Sequence, residues 1–210
     1  MHAAAVMTGL LLMGSATPAL AGDLDAQPPA ADSTAPVTGV ESDKPLDEDR
    51  PITGEVDGPT LKEPQSSSGS HCSVTGDFVH ITKNVKNTMS VKYSTYVTNN
   101  KSYAIDYSFT SQRSGTTTIG ASLTISKELK VRWLGQIKAE VNVNAAKSWT
   151  SSLNVGTSGK VKAHSTVTGD YGIMKENIQG YTATLHGDCS VTNKRNMTVW
   201  APYREGWEIN

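Results

Sequence analysis

The side chains best suited to redox, metal or acid–base chemistry are two cysteines, Cys72 and Cys189, and five histidines. In an oxidising compartment a small, even cysteine count favours a bridge over a metal site, which needs His and Cys ligands at short fixed spacings. A Cys72–Cys189 disulfide is therefore expected, closing a loop across 117 residues of sequence. It would tie the first strand of a domain to one of its last. His2, His71, His80, His164 and His186 stand alone among polar neighbours, in neither an HExxH nor a paired Cys/His spacing, and read as surface or strand-face residues. Asp170, Glu176 and Asp188 could supply the two carboxylates of a glycosidase-type reaction, but nothing in the sequence brings them together. The chain has no Gly-x-Ser-x-Gly nucleophile elbow and no glycine-rich phosphate loop ahead of a helix. The expectation is a noncatalytic protein with no catalytic, cofactor or metal site.

The chain's organisation points the same way. Residues 1–21 carry an apolar run around Val6–Met13 and then Ala19-Leu20-Ala21, the small-x-small pattern that a signal peptidase reads. The run is interrupted at Gly14, Ser15 and Pro18, so a cleaved secretory signal is expected in preference to a membrane anchor, and the mature protein is expected outside the cell. Residues 22–70 are rich in Pro, Asp, Glu, Ser, Thr and Gly, lack aromatic residues and show no sustained apolar periodicity. Such a segment cannot bury enough surface to offset its ordering entropy, and a disordered arm is expected.

Charge divides the mature chain in two. The arm holds eleven acids against three bases, a net −8, whereas residues 71–210 hold sixteen bases and nine acids, a net +7. One reading of the arm is a solvated linker. The other is an interaction tail that meets a larger secreted protein, with Ile52, Val56 and Leu61 as apolar anchors; the alternation over Ile52–Val56 would suit addition to the edge of a partner's sheet. The basic residues of the domain are scattered and form no recognition motif, so nucleic acid is not an expected partner.

Beyond Phe78 the dominant period is two. Met89, Val91, Tyr93, Thr95 and Val97 alternate with polar residues, as do Tyr103, Ile105, Tyr107 and Phe109, with Asn99-Asn100 as the turn of a hairpin between them. Ile119, Ala121, Leu123 and Ile125 repeat the pattern, and so do Ile137, Ala139, Val141, Val143 and Ala145. Between those two runs Leu129, Trp133 and Ile137 recur at helical spacing, where a short amphipathic helix competes with a loop. Strands are expected again over residues 148–155 and 160–167, separated by Gly156–Gly159, and over residues 179–191 and 197–200. The expected fold is all-β: an elongated antiparallel sheet or sandwich of about seven to eight strands with one short helix, preceded by the disordered arm. Trp133, Trp149, Trp200 and Trp207 read as core packing, with an exposed contact cluster near the C-terminal Trp207 as the alternative.

The Ser/Thr-rich run from Tyr107 to Ile125, followed by Ile137–Ser152, resembles the long polar strands of aerolysin-like proteins. That resemblance covers about half of the domain. It implies an elongated β-module in which one amphipathic hairpin can rearrange into a membrane barrel. The hairpin would have arms at Thr116–Ser126 and Ile137–Lys147, with Ile119, Leu123, Ile137 and Val141 facing lipid. Charges at its tip, Lys127, Glu128, Lys130 and Arg132, and the lack of room for a receptor-binding domain depart from that pattern. The layout of signal, acidic arm, β-domain and single disulfide also resembles small adaptor subunits of secreted antibacterial toxin particles of actinobacteria, which implies a noncatalytic connector.

Overall fold

The computed structural model describes residues 36–40, 49–61 and 72–210; the expected signal segment with its expected cleavage site and most of the acidic arm lie outside them. Ten strands and one helix follow in chain order: β1 (Val37–Val40), β2 (Asp49–Pro51), β3 (Gly76–Asn99), β4 (Ile105–Thr110), β5 (Thr116–Thr118), β6 (Gly120–Ala121), α1 (Lys127–Glu140), β7 (Ser148–Thr150), β8 (Gly156–Val161), β9 (Ser165–Leu185) and β10 (Val191–Ile209). The fold is all-β and antiparallel, as expected, but ten strands are present among the described residues where about seven to eight were expected, and three of them are much longer than the sequence runs suggested. β3, β9 and β10 run for 24, 21 and 19 residues and form the spine of the main sheet, ordered β1-β3-β9-β10-β6, with β2 beside β1 on β3.

Strands of that length stay paired because β-bulges absorb the accumulated twist. β3 shifts register against β9 between Ile81 and Lys83, Val85 and Thr88, and Val91 and Tyr93. Close backbone approach is bought at the centre by glycine: a Cβ on Gly180 would meet the carbonyl oxygen of His80 and lie 2.5 Å from the Trp133 ring. That opening lets Trp133 and Ile137 of α1, both fully buried, press onto one end of the sheet with Ile81, Ile178 and Val199.

Several expected elements are corrected. Met89–Val97 does not form a hairpin with Tyr103–Phe109. Asn99 is fully buried, and its amide nitrogen donates to the carbonyls of Tyr103, Val161 and Lys162, while Lys101 N–H donates to its side-chain oxygen. The chain is thereby turned out of the main sheet, and β4 pairs with β8 in a second layer. The expected strand over Ile137–Ala145 is the end of α1 and the turn after it. Ser126 caps the helix by accepting from Leu129 N–H, and Val141 and Asn142 both donate back to the Ile137 carbonyl. The alternation there coincides with a helical repeat, and burial of Trp133 and Ile137 decides between them. Gly156–Gly159 is likewise strand: Gly159 faces Tyr107 across β4 and β8, and a Cβ there would strike the Tyr107 ring at 2.8 Å.

The second layer packs on the other end of the sheet. Phe109 and Val161 join Val97, with Trp207 against them. Trp207 also meets Tyr93, Phe109 and Tyr171, at ring-centroid distances of 6.1, 5.8 and 5.3 Å, and its indole N–H donates to the Val155 carbonyl. It is an aromatic core member rather than an exposed C-terminal contact. Burial first and then the Glu205 carboxylate push the Tyr171 phenol up to about 12.

Candidate functional site

A long antiparallel spine leaves two edges, each a row of backbone groups able to pair with another chain. On β10 the exposed stretch Val191–Asn196 carries Lys194 and Arg195 and is bent by a bulge at left-handed Asn193, φ 55°. Charge and a bulge are common means of blunting an edge. β3 is treated differently: its edge is covered by the acidic arm.

The described arm residues run antiparallel to β3 along most of its length. Val37–Val40 pairs with residues 95–98, Asp49–Pro51 with residues 88–90, and Thr60 bridges to Lys83. The seat is shaped to the arm's sequence. Gly39 lies opposite Tyr96, whose ring occupies the space a Cβ would need, and Thr95 donates its hydroxyl to the Gly39 carbonyl at 2.8 Å. Ile52 is buried with Met89, Val91 and Met174, and Leu61 packs on the core cluster around Trp133. Val56, the third anchor expected from sequence, is 76% exposed and makes no such contact.

Charge holds the arm at three points. Asp49 pairs at 2.5 Å with Lys175, whose side chain is only 4% exposed and whose ammonium also lies 5.4 Å from the Trp200 ring centre. Arg50 reaches Asp170 at 2.6 Å, and the same buried carboxylate accepts a short hydrogen bond from Ser94. Asp57 accepts from Lys83 at 2.5 Å and from Lys86 N–H at 2.9 Å. The Lys83 ammonium, then the Lys86 amide, holds the Asp57 carboxyl below its ordinary range. A turn after Ile52 adds Thr53 N–H to Glu208 at 2.8 Å and the Thr53 hydroxyl to Asn210 at 2.8 Å. The segregated charge of the sequence thus meets, in part, within one chain.

The remaining candidate residues are dispersed. Cys72 and Cys189 are joined, with Cα atoms 5.2 Å apart, and the Cys72 N–H donates to the Gly187 carbonyl, so the bridge fastens the entry of β3 to the β9–β10 turn. Asp170 and Glu176 sit six residues apart on β9, about 20 Å at strand rise. Asp170 is engaged by Arg50 and Ser94, Glu176 accepts from Asn142 at 2.7 Å, and Asp188 accepts from Ser190 within the β9–β10 turn. His80 stacks against Tyr181 at 5.2 Å, His186 contacts Thr192, and His164 occupies a left-handed turn position. Among the described residues no three His, Cys, Asp or Glu side chains are grouped as metal ligands.

The residues expected to face lipid do not share a hairpin. Ile119 and Ile137 are buried in the core, Val141 is half-buried at the end of α1, and Leu123 is 46% exposed. A different hairpin is present. Ile105–Thr110 pairs with residues 156–161 and Thr116–Thr118 with residues 148–150, in one unbroken register. Across the gap Ser111 N–H donates to the Val155 carbonyl and Ser151 N–H to the Gly115 carbonyl, and Ile119 N–H continues the series to Lys147. Its outward positions, among them Asp106, Ser108, Thr110, Thr116, Thr118, Ser148, Thr150, Ser158 and Lys160, are all exposed and polar; Phe109, Thr117, Ile119, Ser151 and Val161 are buried beneath. The signal was the Ser/Thr alternation over residues 105–119 matched by that over 147–161, separated by a helix instead of a short turn.

No helix among the described residues is long and apolar enough to cross a membrane. Comparison with known proteins finds no match among family models, curated proteins or solved structures.

Proposed function

We propose that the protein is a secreted, noncatalytic adaptor or assembly module that engages a larger extracellular protein through its acidic arm. The observation that carries this reading is the behaviour of the arm as a strand. Between Val37 and Leu61 it pairs edge-on with β3 and inserts Ile52 and Leu61 between apolar side chains, with Asp49 and Asp57 on lysines. A segment able to do this on its own sheet has the chemistry to do it on another, since main-chain pairing supplies affinity and spaced side chains supply specificity. The signal-like residues 1–21 and a disulfide fit an oxidising exterior. The test is capture by the tagged mature protein from its own culture supernatant, followed by cross-linking. Adaptor function requires a larger secreted protein whose cross-links fall on residues 22–61 and are lost when the arm acids are changed to amides; retention after deletion of the arm refutes it.

A second reading, a membrane-active β-protein, has one observation in its favour: the shared register of residues 105–119 and 147–161, whose outward strand positions are mostly polar. Each arm exceeds the 9–11 residues, roughly, that a tilted strand needs to span a bilayer. Planar-bilayer recording separates the two. An adaptor is silent, whereas a pore gives discrete steps whose ion selectivity shifts toward anions on Thr150→Lys.

A further inference from the structure

We infer that the β3 edge is an acceptor site for an extended acidic strand of a partner protein, and that the arm of the same chain is its intramolecular placeholder. The inference rests on the adaptor reading for the existence of a partner, but the site itself is argued from contacts.

The edge selects its occupant by three features. Tyr96 lies where the opposing strand carries Gly39, its ring 2.9 Å from where a Cβ would sit, so a side chain is admitted there only if that ring turns aside. Met89, Val91 and Met174 receive one apolar residue, Ile52 in the placeholder. Lys175 and Lys83 flank that apolar seat and take carboxylates, while the buried Asp170 takes one cation, Arg50 in the placeholder, so the ligand carries two acids around a single base. Lys175 is the more telling of the two. An ammonium with its side chain 96% removed from solvent is costly unless an anion faces it, so the site is built for a negatively charged strand.

Two of the three ion pairs that hold the placeholder are open to exchange, whereas the shielded Arg50–Asp170 pair and the buried Ile52 must be matched by a competitor's own cation and apolar residue. Asp49 and Asp57 are 54% and 51% exposed, and ion pairs open to solvent on one side contribute little. Backbone pairing falls in short stretches, over residues 37–40, 49–52 and 59–61 among those described. Tethering compensates by keeping the arm at an effective concentration on the order of 1 mM. A partner strand of equal fit competes poorly at micromolar concentration, and it wins when the partner draws the arm away or offers a longer match. Exchange of strands along one edge then links arm release to partner capture.

The experiment uses the full mature chain and, as probe, a synthetic peptide of residues 36–61 with a fluorophore at its N-terminus. Ile52→Asp together with Asp57→Lys weakens the placeholder at its buried anchor and one exposed ion pair, and Gly39→Trp blocks it at Tyr96 independently. If the free edge binds the peptide with a Kd of about 30 μM, tethering at about 1 mM makes the wild-type chain bind it roughly 30-fold more weakly than the released variants. That difference in both variants, abolished when the peptide's Asp49 and Asp57 are replaced by Lys, supports the site. Equal binding to wild-type and released chains, no binding to either, or equal binding of the Lys-substituted peptide overturns it. Dimerisation of the released variants that the peptide does not reverse, read by light scattering, makes a second copy the occupant and also overturns it. Loss of partner capture with peptide binding intact refutes only the adaptor reading.

Discussion

Arg50→Met tests the docking of the arm at the arm's own least exposed charge. Arg50 is on the arm, Asp170 on β9, and Ser94 on β3, so the three-residue cluster fastens the arm across two strands of the main sheet. The Asp170 side chain is 7% exposed and that of Arg50 18%, so the pair is shielded unlike the exposed ends of the Asp49 and Asp57 contacts. Methionine keeps much of the arginine's length and apolar stem but leaves the Asp170 carboxylate with a hydroxyl as its remaining partner among these three. Removing one member of a buried pair costs about 3 to 5 kcal/mol, chiefly through the charge left behind. Because Arg50 lies on a docked segment, the loss falls on docking, and 3 kcal/mol corresponds to roughly a 150-fold rise in the opening constant of the arm. Hydrogen exchange reads this at the Arg50, Ile52 and Leu61 amides of the arm and at the Met89 amide of β3. Adding Asp170→Asn should restore much of the protection, because an amide is far cheaper to bury than an unpaired carboxylate, and the coupling between the two changes should be at least about 1 kcal/mol. Exchange at these amides within threefold of wild type after Arg50→Met refutes the argument that this pair fastens the arm.

Gly180→Ala should destabilise the domain by about 1 to 3 kcal/mol or more in a urea titration, since the new methyl meets the His80 carbonyl and the Trp133 ring, neither of which can move freely. The double change Cys72→Ser, Cys189→Ser should cost a few kcal/mol; the chain-entropy ceiling for a 117-residue separation is about 5 kcal/mol, and a midpoint equal to wild type counts against the bridge as a structural tie. For Asp57 the folded carboxyl titrates below its ordinary 3.8, so its contribution to arm docking is present above that value and is lost as pH falls through the lower, folded one. Exchange of the arm amides should therefore rise on acidification below about pH 4, and Asp57→Asn should remove that part of the pH dependence. Tyr171 is raised to about 12 from an ordinary 10.0, so whatever stability it lends is complete below pH 10 and fades as pH climbs toward 12. Burial also raises Tyr203, so ultraviolet titration should find late-ionising tyrosines of which the Tyr171 contribution is missing in Tyr171→Phe.

Period-two runs made the all-β class legible, and the lone cysteine pair made the bridge legible, because both signals are local or unique. Partner choice between strands was not. Met89–Val97 and Tyr103–Phe109 are adjacent and alternating, which is all a hairpin shows in sequence, yet the buried amide of Asn99 redirects the chain and β3 pairs with β9 across some 70 residues. Over Ile137–Ala145 both periods were present at once. What decided for the helix was tertiary: Trp133 fits the sheet only where Gly180 opens it, and Ile137 follows one turn later. The same two residues put a helix where the resemblance expected the second arm to begin, and the Ser/Thr-rich segments that pair in this structure lie at residues 105–119 and 147–161.

The arm shows how a sequence can state chemistry without stating geometry. Ile52 and Leu61 were identified as the apolar points of an acidic segment, and both are seated, but on the chain's own sheet. Opposed net charges of −8 and +7 joined by one backbone favour such folding-back, because the tether supplies the encounter that free partners must obtain by diffusion. An unpaired β3 edge, long and with Val91 and Met89 beside it, would otherwise be a template for indiscriminate pairing. Covering it with an acidic strand restricts access to competitors carrying the same combination of small residue, apolar anchor and flanking carboxylates. The two edges of the sheet are thus protected by opposite means. β10 is partly covered by β6 and over residues 191–196 carries permanent charge and a bulge, which disfavour pairing, whereas β3 carries a removable strand, which makes pairing conditional on a better match. That asymmetry is why the β3 edge, and not β10, is the surface through which regulated assembly is to be sought.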